Sequence, residues 1–275
     1  MPPTAKILVA GLVTTLARQG VDCDRVIAEF GQVPACEARE RGRRFSLSDH
    51  VRGLLLSQLS NQRAWGPIAA NLDAIRQVFL DYDPAALEAA DPVELAKSIQ
   101  ALRCGNRQIA KQMACLAENI RTFRRIEKRH GSVDAFITSA PPDTIAKALS
   151  APGPYKLQHV GLALAFEYLR NVGIRAAKPD LHVCRILGQA RLGYSQDDPC
   201  KPEEANPIID RLAREAGCSA TYLDNLLWLF CAQDYGKVCG AEPRCQVCAL
   251  AGECAHGFGR AGFSSPASAH SGTAG

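Results

Sequence analysis

No stretch of this chain reaches the roughly 18 consecutive apolar residues a membrane-spanning helix needs, because Gln, Glu or Arg interrupts the longest apolar runs. A secretory leader is not expected either: the apolar stretch from Ile7 to Leu12 is short, and no small-residue cleavage pattern precedes Arg18. Charge of one sign is scarce, with 32 Lys and Arg against 28 Asp and Glu. The resulting net +4 is compatible with a polyanionic partner without demonstrating one. Strand-like alternation is nearly absent and no repeat of fixed period occurs, which argues against sheet and solenoid architectures.

What the chain does contain is helical periodicity. Apolar positions recur on one face over Ala5 to Arg18, Asp24 to Phe30, Leu47 to Leu59, Trp65 to Leu80, Pro92 to Ile99, Arg107 to Arg129 and Asp143 to Leu149. The pattern continues over His159 to Asn171, Leu181 to Ala190, Pro202 to Ala216 and Ser219 to Ala232, so the fold class is all-α. Ser46 and Ser219 stand where N-caps are needed. With 47% hydrophobic and 22% charged residues, the chain has the balance of a soluble globular protein and a core large enough for two intimate lobes.

The chain has 12 cysteines, of which Cys23, Cys36, Cys104, Cys115, Cys184, Cys200, Cys218 and Cys231 follow no disulfide-framework rhythm. They read as buried free thiols in a reducing compartment, giving a cytoplasmic placement. The other four, Cys239, Cys245, Cys248 and Cys254, are spaced C-x5-C-x2-C-x5-C, among turn formers such as Gly240, Pro243 and Gly252. Soft thiolates select zinc or iron-sulfur clusters. Structural zinc sites more often pair two C-x2-4-C knuckles, whereas a central C-x2-C pair between outlying single cysteines suits a cubane.

This loop resembles the C-terminal cluster loop of the endonuclease III and adenine-glycosylase group within the helix-hairpin-helix DNA glycosylase superfamily, where the first gap is one residue longer. A [4Fe-4S] cofactor is what the resemblance implies. Upstream, Leu157-Gln158-His159-Val160-Gly161 and Ala165 look like that superfamily's hairpin, with His159 in place of its first glycine. Such a hairpin offers backbone amides to a DNA phosphate, so His159, Val160, Gly161 and the neighbouring Lys156 are candidate DNA contacts. The bland alternative is an ordinary helical turn.

Lys178-Pro179-Asp180-Leu181-His182-Val183-Cys184-Arg185 resembles the superfamily's Asp-x-His-x-x-Arg segment, which makes Asp180 the candidate catalytic carboxylate. An anion there stabilises the positive charge that develops on the sugar as the N-glycosidic bond breaks, and it can activate water. The competing reading is that Asp180 only caps the next helix. His182 and Arg185 are read as bracing groups. The lysine of bifunctional members is replaced by Ala163, which implies a monofunctional hydrolase and suits labile, alkylated or otherwise modified bases. Lys156 and Lys178 keep a lyase alternative open.

Leu54 to Gln62 resembles the segment bordering the superfamily's base pocket. Leu59 is the candidate wedge into the gap left by a flipped base, or else a core leucine, and Gln58, Asn61, Gln62 and Trp65 are candidate pocket residues. Arg121, Arg124, Arg125, Lys128 and Arg129 form a helical basic stripe that fits a phosphate track or a solvated face. The resemblance spans roughly residues 45 to 254. It implies a two-lobed, monomeric enzyme on double-stranded DNA containing a damaged or modified base: N-terminal helices (1–45) packed on the cluster lobe, a helical barrel lobe (46–150), a hairpin and cluster lobe (151–256), and a disordered tail (257–275). The rivals are a bifunctional glycosylase with lyase activity and a non-catalytic iron-sulfur DNA-binding protein.

Overall fold

The computed structural model describes residues 2–260, and every regular element among them is a helix. The chain opens with α1 (Ala5–Arg18), α2 (Cys23–Glu29) and α3 (Gln32–Glu40). It continues through α4 (Leu47–Leu59), α5 (Gly66–Ala69), α6 (Leu72–Val78), α7 (Pro84–Ala89), α8 (Pro92–Ala101), α9 (Ile109–Ala114), α10 (Leu116–His130), α11 (Val133–Ile137), α12 (Pro142–Ser150) and α13 (Leu162–Asn171). An extended segment then leads to α14 (Leu181–Leu187), α15 (Pro202–Ala216), α16 (Ala220–Cys231) and, past the cysteine loop, α17 (Ala255–Arg260). No helix among the described residues is long and apolar enough to cross a membrane.

Local signals set most helix starts. Ser46 and Asp49 form a reciprocal capping box at α4, Ser219 accepts from the Tyr222 amide at α16, and proline occupies the first turn of α5, α7, α8, α12 and α15. Leu8, Leu12 and Leu16 recur one turn apart on α1 and are all fully buried.

Burial sorts these helices into two cores. The first holds apolar side chains from Phe45 to Ala176, and α4 runs through its middle against α13. The second joins α1 and α2 to everything from Ala177 to Cys254, so the chain leaves this lobe after α2 and returns to it after the extended segment. The lobe change expected at residue 150 falls instead between Ala176 and Ala177. Hairpin and α13 belong with the first core, because α13 is buried nearly all round, every residue from Leu164 to Arg170 included, and packs between α4 and α12. Bridging the two, Gln32 of α3 donates to Glu167 (2.8 Å) and Asn171 (3.0 Å), and Arg39 takes Asp134 at 2.6 Å and also the Val172 carbonyl.

Several expected helices are broken. The Trp65 to Leu80 stretch divides into α5, α6 and a tight turn at Leu80–Tyr82, whose residues take φ of 50°, 54° and 61°. The Arg107 to Arg129 stretch divides at Cys115. Periodicity cannot register such breaks, since the apolar face resumes after each one. Helices α3, α7 and α11 were not expected at all. Of the expected tail, Gly257–Arg260 complete α17, and residues 261–275 lie outside the described part.

The eight scattered cysteines are free, as expected, with Cys115 and Cys218 only half-buried. Three of the five cations of the basic stripe on α10 are ion-paired: Arg121 and Arg125 share Glu118 at 2.9 and 3.0 Å, and Arg124 takes Glu88 of α7 at 2.7 Å. This favours the solvated-face reading.

Candidate active site

A cavity of about 720 Å³ opens where the two cores meet. One side comes from the loop after α4 (Asn61, Gln62, Arg63, Trp65) and from α13; the other comes from the segment Lys178–His182 and from α16. Asp180 lies on this wall. It caps α14 with Oδ1 alone, accepting from the His182 amide at 2.9 Å and the Val183 amide at 3.1 Å. Capping and catalysis are thus compatible in one carboxylate, because the cap engages a single oxygen. Burial holds the His182 imidazole below its usual range, against the pull of Asp180.

Beneath Asp180 lies a buried polar network. Arg170 binds Asp224 at 2.6 Å and Glu167 at 3.2 Å and also donates to Asn225, while the Lys178 amine stands 3.6 Å from Glu167. Burial opposes the charge on Glu167, but Lys178 and Arg170 outweigh it and hold that carboxyl below the usual range. Asp224 goes the other way: burial dominates and, with the nearby charge of Asp180, pushes it up to about 7 despite Arg170. Opposite stands an aromatic wall, in which Phe30 meets Trp228 edge-on at 5.6 Å and Trp65 at 6.4 Å. Four buried donors on this lining have no partner: Arg63 Nε, Trp65 Nε1, Arg170 Nε and Asn225 Nδ2.

Of the candidates read from the sequence, Asp180, Asn61, Gln62 and Trp65 meet at this cavity, as does Ala163. Gln62 is exposed and held at φ 51°, a strained conformation at the cavity wall. Gln58 and Leu59 do not reach it. Both are fully buried, and Leu59 belongs to the first core, so the wedge role passes from it. Every residue of α4 from Leu54 to Leu59 is buried, which leaves no exposed side there for a wedge.

The hairpin borders a second, smaller cavity of about 340 Å³, shared between His159, Gly161 and the first turn of α13 on one side and Asn61, Gln108 and Gln112 on the other. His159 takes φ 55°, so the histidine adopts the left-handed turn a glycine would supply. Gly161 caps α13 without a side chain, and nothing lies within 4 Å of where its Cβ would be. Val160 is buried, and Lys156 donates to the Val160 carbonyl, so these two build the hairpin rather than face outward. Gln112 is fully buried; its Oε1 accepts from Asn106 and its Nε2 has no partner.

The cysteine loop docks on α1. The Ala249 amide donates to Thr15 Oγ1 at 2.9 Å, and Leu250 sits so close to Gly11 that a Cβ there would come within 2.3 Å of it. Cys239 and Cys254 are buried, Cys245 and Cys248 half-buried. Burial, joined by the charges of the other three, pushes the Cys248 thiol up to about 12. Cys239 is held down instead, by a hydrogen bond with Cys231 and, against burial, by Arg191 and Arg185. The four sulfurs therefore gather within electrostatic reach of one another, and Cys239 also within reach of two guanidinium groups. Among the described residues, no three His, Cys, Asp or Glu side chains form a ligand set for a single ion.

No protein-family model matches the chain, and no curated protein does. Solved structures do. The chain is similar to the 8-oxoguanine DNA glycosylase of Methanocaldococcus jannaschii at a TM-score of 0.54 and 18% identity, over 80% of this chain and 92% of that one. It is also similar, at a TM-score of 0.52 and 18% identity, to the 8-oxoguanine glycosylase/lyase of that organism in complex with a 15mer DNA containing 8-oxoguanine, over 79% and 96% of the two chains. The fold is that of the helix-hairpin-helix DNA glycosylases.

Several residues of this site were missed in the sequence. Glu167, Arg170, Asp224 and Asn225 interrupt the apolar stretches of α13 and α16, and polar residues inside such stretches were the available signal. Phe30 and Gln32 gave no local sign, since only the return of the N-terminal helices brings them to the cavity.

Proposed function

We propose that this protein is a base-excision DNA glycosylase that hydrolyses the N-glycosidic bond of a damaged base held in the cavity between its two cores. The observation that carries the reading is Asp180 on the cavity wall, at the end of the segment that follows the hairpin helix, whose N-terminus has no side-chain cap, in a chain of glycosylase fold. With Oδ1 engaged by the helix cap, Oδ2 is the oxygen that stabilises the sugar cation and activates water. The Gly161 end of α13, with the Gln112 amide beside it, takes a backbone phosphate. The emptied stack is filled by Leu181, which is 63% exposed at the cavity rim next to Asp180.

The unpartnered donors on the lining favour a base that presents acceptor oxygens, bound against the Phe30 and Trp65 rings. This moves the substrate away from alkylated bases and toward oxidised or deaminated ones. Hydrolysis without strand cleavage follows from Ala163 at the hairpin position and from the pairing of the Lys178 amine with Glu167. The second reading, lyase chemistry through Lys178, rests on that amine lining the same cavity. Cys239, Cys245, Cys248 and Cys254 would hold a [4Fe-4S] cluster, which keeps its four sulfurs further apart than a single ion does. Bound there, the cluster would hold the loop closed on α1.

A panel of single-lesion duplexes, run with wild type and Asp180→Asn, tests this. Base release should fall by about three orders of magnitude in the variant; release at the parent rate would end the assignment. Borohydride should trap no adduct, and an adduct abolished by Lys178→Ala would establish the second reading. Purified protein should contain about four irons per chain, and stoichiometric zinc instead would overturn the cluster while leaving the hydrolase intact.

A further inference from the structure

The segment that delivers Asp180 has no secondary structure of its own between Ile174 and Asp180. Side chains from α15 and α16 take its backbone instead. Thr221 Oγ1 accepts from the Ala176 amide and donates to the Ala176 carbonyl, both at 3.3 Å. Asn206 Oδ1 accepts from the Ala177 amide at 2.8 Å, and Asp224 Oδ1 accepts from the Lys178 amide at 3.0 Å. All three side chains are almost fully buried, Thr221 at 0%, Asp224 at 1% and Asn206 at 4% exposure. Beyond Lys178 the chain closes tightly, the Asp180 amide donating to the Lys178 carbonyl at 2.7 Å, so Asp180 inherits the position of Lys178.

The last of these contacts differs from the other two. The Asp224 carboxylate divides its oxygens, Oδ1 to the Lys178 amide and Oδ2 to Arg170 at 2.6 Å. Arg170 is fixed in turn by Glu167 and Asn225. A buried carboxylate is a costly way to hold a single amide, which a neutral side chain could accept as Asn206 does for Ala177. The charge ties the Asp180 segment to α13, the helix that the hairpin opens. We infer that Asp224 is a positioning residue that sets Asp180 against the sugar, coupling the hairpin helix to the carboxylate through Arg170. This rests on the glycosylase reading above.

The groups facing Asp224 are Glu167 and Arg170 from α13, Lys178 and Asp180 from the extended segment and the Cys184 thiol from α14. Burial leaves Asp224 titrating at about 7, so its charged form is lost as pH falls through neutrality. Base release should accordingly show an acidic limb near pH 7 that belongs to Asp224 and not to the sugar chemistry.

The test is single-turnover base release and duplex affinity on the best substrate of the lesion panel, for wild type, Asp180→Asn, Asp224→Asn and Thr221→Val. For Asp224→Asn the expected result is a fall in kcat of about 100-fold, the scale of a misplaced catalytic group, with duplex affinity and KM within about twofold and the acidic limb gone. Thr221→Val, which keeps shape but removes the hydroxyl, should lower kcat while leaving affinity intact, and Thr221→Ser should restore it. A folded Asp224→Asn with parental kcat and an unchanged pH profile overturns the inference while Asp180→Asn, if inactive, leaves the glycosylase reading standing. If Asp224→Asn does not fold, Thr221→Val decides: parental kcat there overturns the inference. Wild type that releases no base from any duplex overturns both.

Discussion

Two leucines in comparable sequence settings have opposite surroundings. Leu59 closes α4 at 0% exposure inside the first core, whereas Leu181 opens α14 at 63% exposure on the rim of the cavity. Leu59→Ala should therefore cost about 2–5 kcal/mol of stability, as core truncations do, and change base flipping only through that loss. Leu181→Ala should leave thermal unfolding unchanged and weaken the extrusion of the target nucleotide. 2-Aminopurine fluorescence in a lesion duplex reads this directly, and an unaltered flipping signal in Leu181→Ala would return the wedge to some other side chain.

The hairpin is a junction between elements whose geometry is kept while its usual residue is not. His159 occupies the left-handed turn, Lys156 ties the turn back to the Val160 carbonyl, and Gly161 leaves the amides of α13 open. Gly161 itself has an ordinary extended φ of -89°, and an added Cβ would meet no protein atom within 4 Å. The glycine is thus dispensable for folding. Gly161→Ala should melt at the parental temperature yet bind duplex DNA more weakly, because the new methyl would stand in the path of the phosphate that the proposed function places there. Parental affinity, measured at fixed salt, would remove the hairpin from the binding surface.

At the scale of the molecule, the N-terminal helices are tied to both cores by charged and polar groups. Arg39 of α3 reaches across to Asp134 of α11, where His50 of α4 also stands 3.6 Å away and hydrogen-bonds Tyr168 at 2.7 Å. Burial works against the charge of Asp134, but His50 and Arg39 outweigh it and hold that carboxyl well below the usual range. A carboxylate depressed in the folded state contributes stability that is complete above its unfolded pKa, about 3.9, and disappears as pH falls toward the lower folded value. Denaturant unfolding should accordingly show stability declining below about pH 4, with the Asp134→Asn variant less stable at pH 7 and flatter through that window. An identical acid slope in the variant would assign the loss to other carboxylates.

Helix class, the capped start of α4, the hairpin, Asp180 and the cysteine spacing were legible in the chain because each is a local matter of periodicity, capping or short-range pattern. The breaks at Cys115 and at Leu80–Tyr82, and the short helices α3, α7 and α11, were not, since they depend on where packing stops one helix and starts the next. The site divides the same way. The sequence by itself singled out Asp180 and the four spaced cysteines on which the proposal rests. Only the tertiary structure decided that Leu59 is core and Leu181 is rim, that Phe30 and Gln32 join the cavity, and that α13 and α16 put a buried ionic network under Asp180. The reason is physical: local pattern fixes which face of a helix is apolar, but which residues meet across two cores depends on a chain that leaves one lobe after α2 and returns to it at Ala177.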